Sequence, residues 1–242
     1  MSAALSPEAQ TTAERLAGVD RAITETAARA GRRRDEITLI AVSKRQSLDA
    51  ISAAAAAGQA HFGENYLQEA VPKIEQAIPL RATWHYIGRI QSNKTQPIAR
   101  HFDWVHTVDR QKIAERLSNT SQEHRQGRPL NLFLQVNVDA DPNKAGVAPA
   151  DVDALAEQIA TLPGLRCRGL MTILDPSADP ARSFGALRAL FDRLAGRYRW
   201  DSLSMGMSGD FAAAIDAGAT HLRIGTAVFG SRPTDARIGE QP

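Results

Sequence analysis

Apolar positions along the chain change period several times, and that alternation is the first clue to the fold. Ala13, Leu16, Ile23, Ala27 and Ala30 recur at helical spacing, and Gly31 follows as a C-cap. The run Ile37-Thr38-Leu39-Ile40-Ala41-Val42-Ser43 is short, mostly apolar and rich in β-branched residues. A strand buried on both faces of a parallel sheet reads this way. An alanine-rich helical stretch from Leu48 to Ala57 then stops at Gly58. Further strands are predicted over 60–63, 83–87, 104–107, 132–137, 169–173, 203–206 and 221–224, with helices including 64–77, 110–122, 149–160, 181–195 and 211–217 among them. Eight strands alternating with helices predict an α/β fold, a (β/α)8 barrel rather than an open doubly wound sheet. No Pro/Gly/Ser linker or shift in composition divides residues 1–242, which read as one domain.

Composition sets the outer bounds. With 242 residues and 43% hydrophobic content, the chain has the size and core of one such barrel. It contains no apolar run of the roughly 18 residues needed to span a bilayer, and its first residues lack the charged and apolar regions of a signal peptide. The single cysteine, Cys167, excludes an internal disulfide. These features predict a soluble, cytoplasmic protein. The 29 basic residues nearly balance the 27 acidic ones. The one dense basic run, Arg32-Arg33-Arg34, is followed at once by Asp35-Glu36 and reads as a solvated helix end. Neither nucleic acid nor membrane is expected as a partner.

In a barrel of this kind, working residues lie at the C-terminal ends of strands and in the loops beyond. Lys44 ends the first apolar strand, where its amine must reach water, a carboxylate or a ligand. Alone, a lysine snorkelling from a strand end is the commoner reading. Ser204-Met205-Gly206-Met207-Ser208-Gly209-Asp210 joins a strand to a helix, with glycines that let the backbone approach an anion. A simple turn with a helix cap explains Ser208 or Asp210 as well. Arg223 stands inside the last apolar strand, and Gly225-Thr226 follow at its end. These two segments fall after strands seven and eight, where barrels often hold phosphate. Phe62-Gly63-Glu64-Asn65 also ends a strand, and His85 lies among aromatics, where a core histidine is the simpler reading.

Taken together, these segments resemble the YggS-type pyridoxal 5′-phosphate homeostasis proteins, the proline synthetase co-transcribed homologue family. The resemblance rests on Ala41-Val42-Ser43-Lys44, Phe62-Gly63-Glu64-Asn65, Trp84-His85-Tyr86-Ile87-Gly88 and Ile90-Gln91-Ser92-Asn93-Lys94. It continues through Arg168-Gly169-Leu170-Met171, Ser204-Met205-Gly206-Met207-Ser208 and Arg223-Ile224-Gly225-Thr226. The family implies a fold-type III barrel like the N-terminal domain of alanine racemase, with pyridoxal 5′-phosphate as cofactor. It implies that Lys44 forms the Schiff base, and that Ser208 with the backbone at Gly225 and Thr226 holds the phosphate. Arg223 is expected to face the pyridine nitrogen, while Asn65, His85 and Met207 are expected to line the pocket. Where many members carry a second lysine, this chain has Gln46. Passage of cofactor between neighbouring lysines is therefore not expected at that point.

The chemistry agrees with a holder of the cofactor. A Schiff base needs a neutral amine, and partial burial beside a cation such as Arg223 would lower the ordinary lysine pKa of about 10.4. Arginine stays protonated, so it can donate to the pyridine nitrogen but protonates it poorly, leaving the ring a weaker electron sink. The rival reading is a racemase-like enzyme of the same fold type. Racemisation needs an acid or base on each face of the substrate, and only residues 227–242 follow the Gly225-Thr226 loop, where alanine racemase continues into a β-domain that supplies a tyrosine. The expectation is a carrier, monomeric, without robust catalysis and with apo forms of pyridoxal-phosphate enzymes as partners. A sugar-phosphate barrel enzyme would explain the phosphate loops but not Lys44 with Arg223.

Overall fold

A computed structural model describes residues 7–230, and all eight predicted strands form. They are β1 (Thr38–Val42), β2 (His61–Glu64), β3 (Thr83–Tyr86), β4 (Trp104–Val108), β5 (Leu130–Gln135), β6 (Leu165–Met171), β7 (Ser202–Ser204) and β8 (His221–Ile224). Every neighbour pairs in parallel and in chain order, and β1 closes on β8 through Thr38–His221 and Ile40–Arg223. The result is a closed barrel, which leaves no strand edge exposed.

Helices wrap it: α1 (Pro7–Arg29), α2 (Leu48–Ala56), α3 (Leu67–Gln76), α4 (Thr95–His101), α5 (Gln111–His124), α6 (Val152–Ala160), α7 (Pro180–Tyr198), α8 (Phe211–Asp216) and α9 (Thr226–Phe229). Strand side chains alternate in direction. Leu39 and Ala41 of β1 join the large core shared with the helices, whereas Ile40 between them does not. Helix α1 packs on α2, α8 and α9, covering the seam where the chain's first and last barrel units meet. Among the described residues, no helix is long and apolar enough to cross a membrane.

Where the elements differ from expectation, polar residues explain the difference. β6 starts at Leu165 rather than 169, because Arg166 and Arg168 hide its alternation. Arg168 is satisfied at the rim: its guanidinium lies 5.0 Å over the Trp104 ring and donates to both carboxylate oxygens of Asp201 at 2.8 and 2.7 Å. Helix α3 begins at Leu67 rather than 64, since Glu64 completes a strand and Tyr66 keeps extended angles. Helix α4 is an addition to the predicted elements, although Pro97 at its third residue suits a first turn whose amides lack intrahelical acceptors. The basic run lies just past α1, which ends at Arg29, and it is only partly solvated, because Arg32 is drawn into the fold. Arg32 donates to the carbonyls of Ile215 and Ala219, Arg33 pairs with Asp35, and Arg34 pairs with Asp20.

Candidate functional site

A cleft of about 410 Å³ opens at the C-terminal face of the barrel, and seven of the eight expected site residues line it. These are Lys44, Asn65, Met207, Ser208, Arg223, Gly225 and Thr226. Val42, Gln46, Ile87, Ile173, Gly209 and Gly230 complete the wall. Ile87 and Ile173 stand just beyond β3 and β6, so the rule that barrel sites gather at these ends could have found them.

Lys44 stands two residues past β1 in a tight turn, with the Gln46 amide donating to the Ser43 carbonyl at 3.0 Å. Arg45 sits in the left-handed region at φ 61°, which few side-chain-bearing residues occupy without support. Support comes from α3, because the Arg45 amide donates to the Glu69 carboxylate. Beneath the turn lies a buried polar knot. The Ser43 hydroxyl donates to Glu64 Oε1 at 2.7 Å, and Lys73 Nζ reaches the same oxygen at 3.2 Å and the Ser43 carbonyl at 3.0 Å. Burial pushes the Glu64 carboxyl pKa up, against the lowering effect of Ser43 and Lys73. The knot fixes the ends of β1 and β2, and with them the bases of Lys44 and Asn65.

On the opposite wall, Gly206 at φ 93° turns the chain out of β7. A Cβ there would stand 2.6 Å from that of Ala214, so a larger residue is excluded. The Met207 amide donates to Asp210, which shapes the loop presenting Ser208. Gly225 caps the short helix α9, and a Cβ on it would approach the Val42 carbonyl to 3.3 Å. The Val228 and Phe229 amides of α9 donate to the Gly225 carbonyl at 2.9 and 3.0 Å, whereas those of Thr226 and Ala227 have no acceptor among the described residues, the usual condition for binding an anion.

Arg223 is buried and donates to Ser204 Oγ at 2.7 Å and to the Thr172 carbonyl at 2.8 Å. Burial lowers its pKa to about 10, with Asp210 opposing the change. It therefore remains a cation, and only a donor, at neutral pH.

His85 corrects the sequence expectation, because it does not line the cleft. It points into the barrel lumen and is fully buried there. Rings from separate strands meet around it, with Phe133 of β5 and His221 of β8 only 5.2 Å apart. A hydrogen-bonded chain runs through this lumen. Ser204 Oγ lies 2.8 Å from His106 Nδ1, His106 Nε2 lies 2.9 Å from His85 Nδ1, and His85 Nε2 lies 3.0 Å from His61 Nδ1. Since Arg223 can only donate to Ser204, the buried hydroxyl satisfies its own proton by donating to His106 Nδ1. Each ring then carries its proton on Nε2 and passes a hydrogen bond towards His61. Burial, followed by neighbouring histidines, holds His85 and His106 well below the usual imidazole pKa and His221 at about 3.

A closed parallel barrel carrying a lysine, a buried arginine and two glycine-bearing loops around one mouth defines the class of the alanine racemase N-terminal domain. The model of that domain matches residues 20–233. Within it, the chain belongs to the pyridoxal phosphate homeostasis protein family. The pyridoxal phosphate homeostasis protein of Pseudomonas aeruginosa is 51% identical over 223 residues, spanning 92% of this chain and 96% of that one. The structure of PipY from Synechococcus elongatus PCC7942 with PLP bound superposes with a TM-score of 0.78 at 39% identity, covering 90% of this chain and 100% of that one. Alanine racemase of Corynebacterium glutamicum shares the fold at a TM-score of 0.67 and 17% identity, over 95% of this chain and 62% of that one.

Proposed function

We propose that this protein binds pyridoxal phosphate in the cleft beside Lys44 and serves to hold and release it, rather than to drive amino-acid chemistry. The donor set suits that molecule. Lys44 offers the amine for the cofactor's aldehyde, and Ser208 with the Gly225-Thr226 segment offers donors for the phosphate. Arg223 offers a donor for the ring nitrogen. Asn65 Oδ1 is a buried acceptor without a partner, suited to a hydroxyl on the ring. The volume is of the order found for small-molecule pockets.

When bound, the cofactor supplies an aldehyde that attaches to amines and a ring that withdraws electrons from the carbon next to the joined nitrogen. This chain's residues restrain the second property. Arg223 is buried, cationic and tied to Ser204 and Thr172, so it orients the ring without handing it a proton. The observation that carries the carrier reading is the cleft's lining. Apart from Lys44, none of the described lining residues has a side chain able to exchange a proton near neutral pH, there being no Asp, Glu, His, Cys or Tyr among them. The 39% identical relative solved with PLP bound supports the choice of cofactor. Apo forms of pyridoxal-phosphate enzymes in the cytoplasm are the proposed recipients, and the acting form is the monomer.

Borohydride reduction of the loaded protein followed by peptide mass measurement tests the attachment. The adduct is expected on the Lys44 peptide, and an adduct mainly on Lys94 or Lys144 would sink the assignment. Incubation of the loaded protein with an apo-enzyme should restore that enzyme's activity, while amino acids show little or no α-proton exchange. Turnover of any amino acid in the enzymatic range of about 1–10³ per second would restore the racemase reading.

A further inference from the structure

The block Ile90-Gln91-Ser92-Asn93-Lys94 contributes nothing to the cleft beside Lys44, yet the fold builds a second cleft from it on the same face. This cleft is larger, about 630 Å³, and Asn65 belongs to the walls of both. Arg89, Lys94 and Arg110 bring three positive charges to it, and among the described residues no Asp or Glu lines it. Arg110 is anchored by Asp109 and by the Ile90 carbonyl at 3.2 Å. The side chains of Arg89 and Lys94 have no hydrogen-bond or ion-pair partner among the described residues.

The backbone of the loop is equally one-sided. Its carbonyls are engaged by side chains of the barrel and its helices. Thr107 Oγ1 donates to Gly88 at 2.6 Å, Tyr86 to Arg89 at 3.1 Å, Arg110 to Ile90, and Arg116 to Ser92 at 3.0 Å. No described residue accepts from the amides of Arg89, Ile90 and Gln91. The cleft thus gathers two unpaired cations and a run of unspent amides beside one arginine whose charge Asp109 takes up. Donors on several elements suit the oxygens of a tetrahedral dianion better than one planar carboxylate.

We infer that this second cleft binds a small organic phosphate monoester, separate from the ligand beside Lys44. Half-exposed Tyr66 and Leu67 supply an apolar wall for its organic part. The two ligands would be close neighbours. A Cβ on Gly88 would lie 2.1 Å from the Asn65 carbonyl oxygen, so the anion-binding loop rests directly on the residue both clefts share. The inference stands on donors of the second cleft alone and does not require the cofactor assignment.

Phenyl phosphate is the probe, titrated calorimetrically into the full chain with and without a prior load of pyridoxal phosphate. In the loaded chain one saturable site is expected, and it persists in the unloaded chain. Arg89→Ala and Lys94→Ala, both surface changes, should each weaken it by at least about tenfold, the loss of one charged hydrogen bond. Ser208→Ala should leave it intact. Three results would each overturn the inference: no saturable binding, binding unchanged in the Arg89→Ala/Lys94→Ala double variant, or binding lost with Ser208→Ala. Tighter binding of phthalate than of phenyl phosphate would overturn the phosphate class.

Discussion

Acid should unfold this protein earlier than its modest surface charge suggests, and the histidines in the lumen set the amount. His85, His106 and His221 are buried with pKa values below the ordinary 6.5, His221 at about 3. In the unfolded chain they regain about 6.5 and bind protons that the native state refuses. Stability therefore rises with pH between the folded and unfolded values, and falls as pH drops below about 6.5. At pH 5.5 each histidine kept neutral costs on the order of 1 kcal/mol, and almost nothing at pH 7.5. Three such groups, with His61 lowered in the same direction by burial, give on the order of a few kcal/mol, a large part of the roughly 5–15 kcal/mol that holds a domain together. The lowered pKa values of Asp175 and Asp201 act below their ordinary 3.8, outside this window. Glu64, raised by burial, acts in the opposite sense, with stability lost as pH rises through its folded value. A Glu64→Gln background isolates it. Urea unfolding at pH 7.5, 6.5 and 5.5 measures the slope, and His221→Gln should make it shallower. Stability that stayed flat from pH 7.5 to 5.5 would refute the reasoning, because the lumen would then accept protons while folded.

Two further outcomes follow from single contacts. Ser208→Ala should weaken pyridoxal phosphate by about 1.5–3 kcal/mol, the range for a lost charged hydrogen bond, while leaving pyridoxal nearly unaffected; equal losses measured for both ligands would make the serine only a loop residue. Ser204→Ala removes the acceptor for Arg223 and the donor to His106 together. It should destabilise the protein by about 1–3 kcal/mol per orphaned group in urea melts and loosen the cofactor; a variant with unchanged stability and affinity would deny the chain its role in holding Arg223.

Much of this molecule is written locally. A strand covered on both faces must be apolar throughout, so Ile37 to Ser43 announces itself, and a lysine ending such a run stands out from its neighbours along the chain. Gly206 and Gly225 are similarly legible, because tight turns and close approaches between backbones favour glycine. The arginines of β6 hid that strand's start, because Trp104 and Asp201, which satisfy Arg168, lie far from it in the chain. His85 shows the same limit. Its aromatic neighbours in sequence were visible, but alternation along β3 and closure of the barrel decide that it faces the lumen and not the cleft. His61, His85, His106, Ser204 and Arg223 come from five strands, and no spacing along the chain records that they form one hydrogen-bonded line. The second cleft is also tertiary, since Arg89, Lys94 and Arg110 converge only when the loops after β3 and β4 stand side by side. Sequence by itself determined the strands, the turns and which side chains are chemically able. Closure of the sheet into a barrel decided which of them meet, because contact across a lumen depends on register and not on distance along the chain.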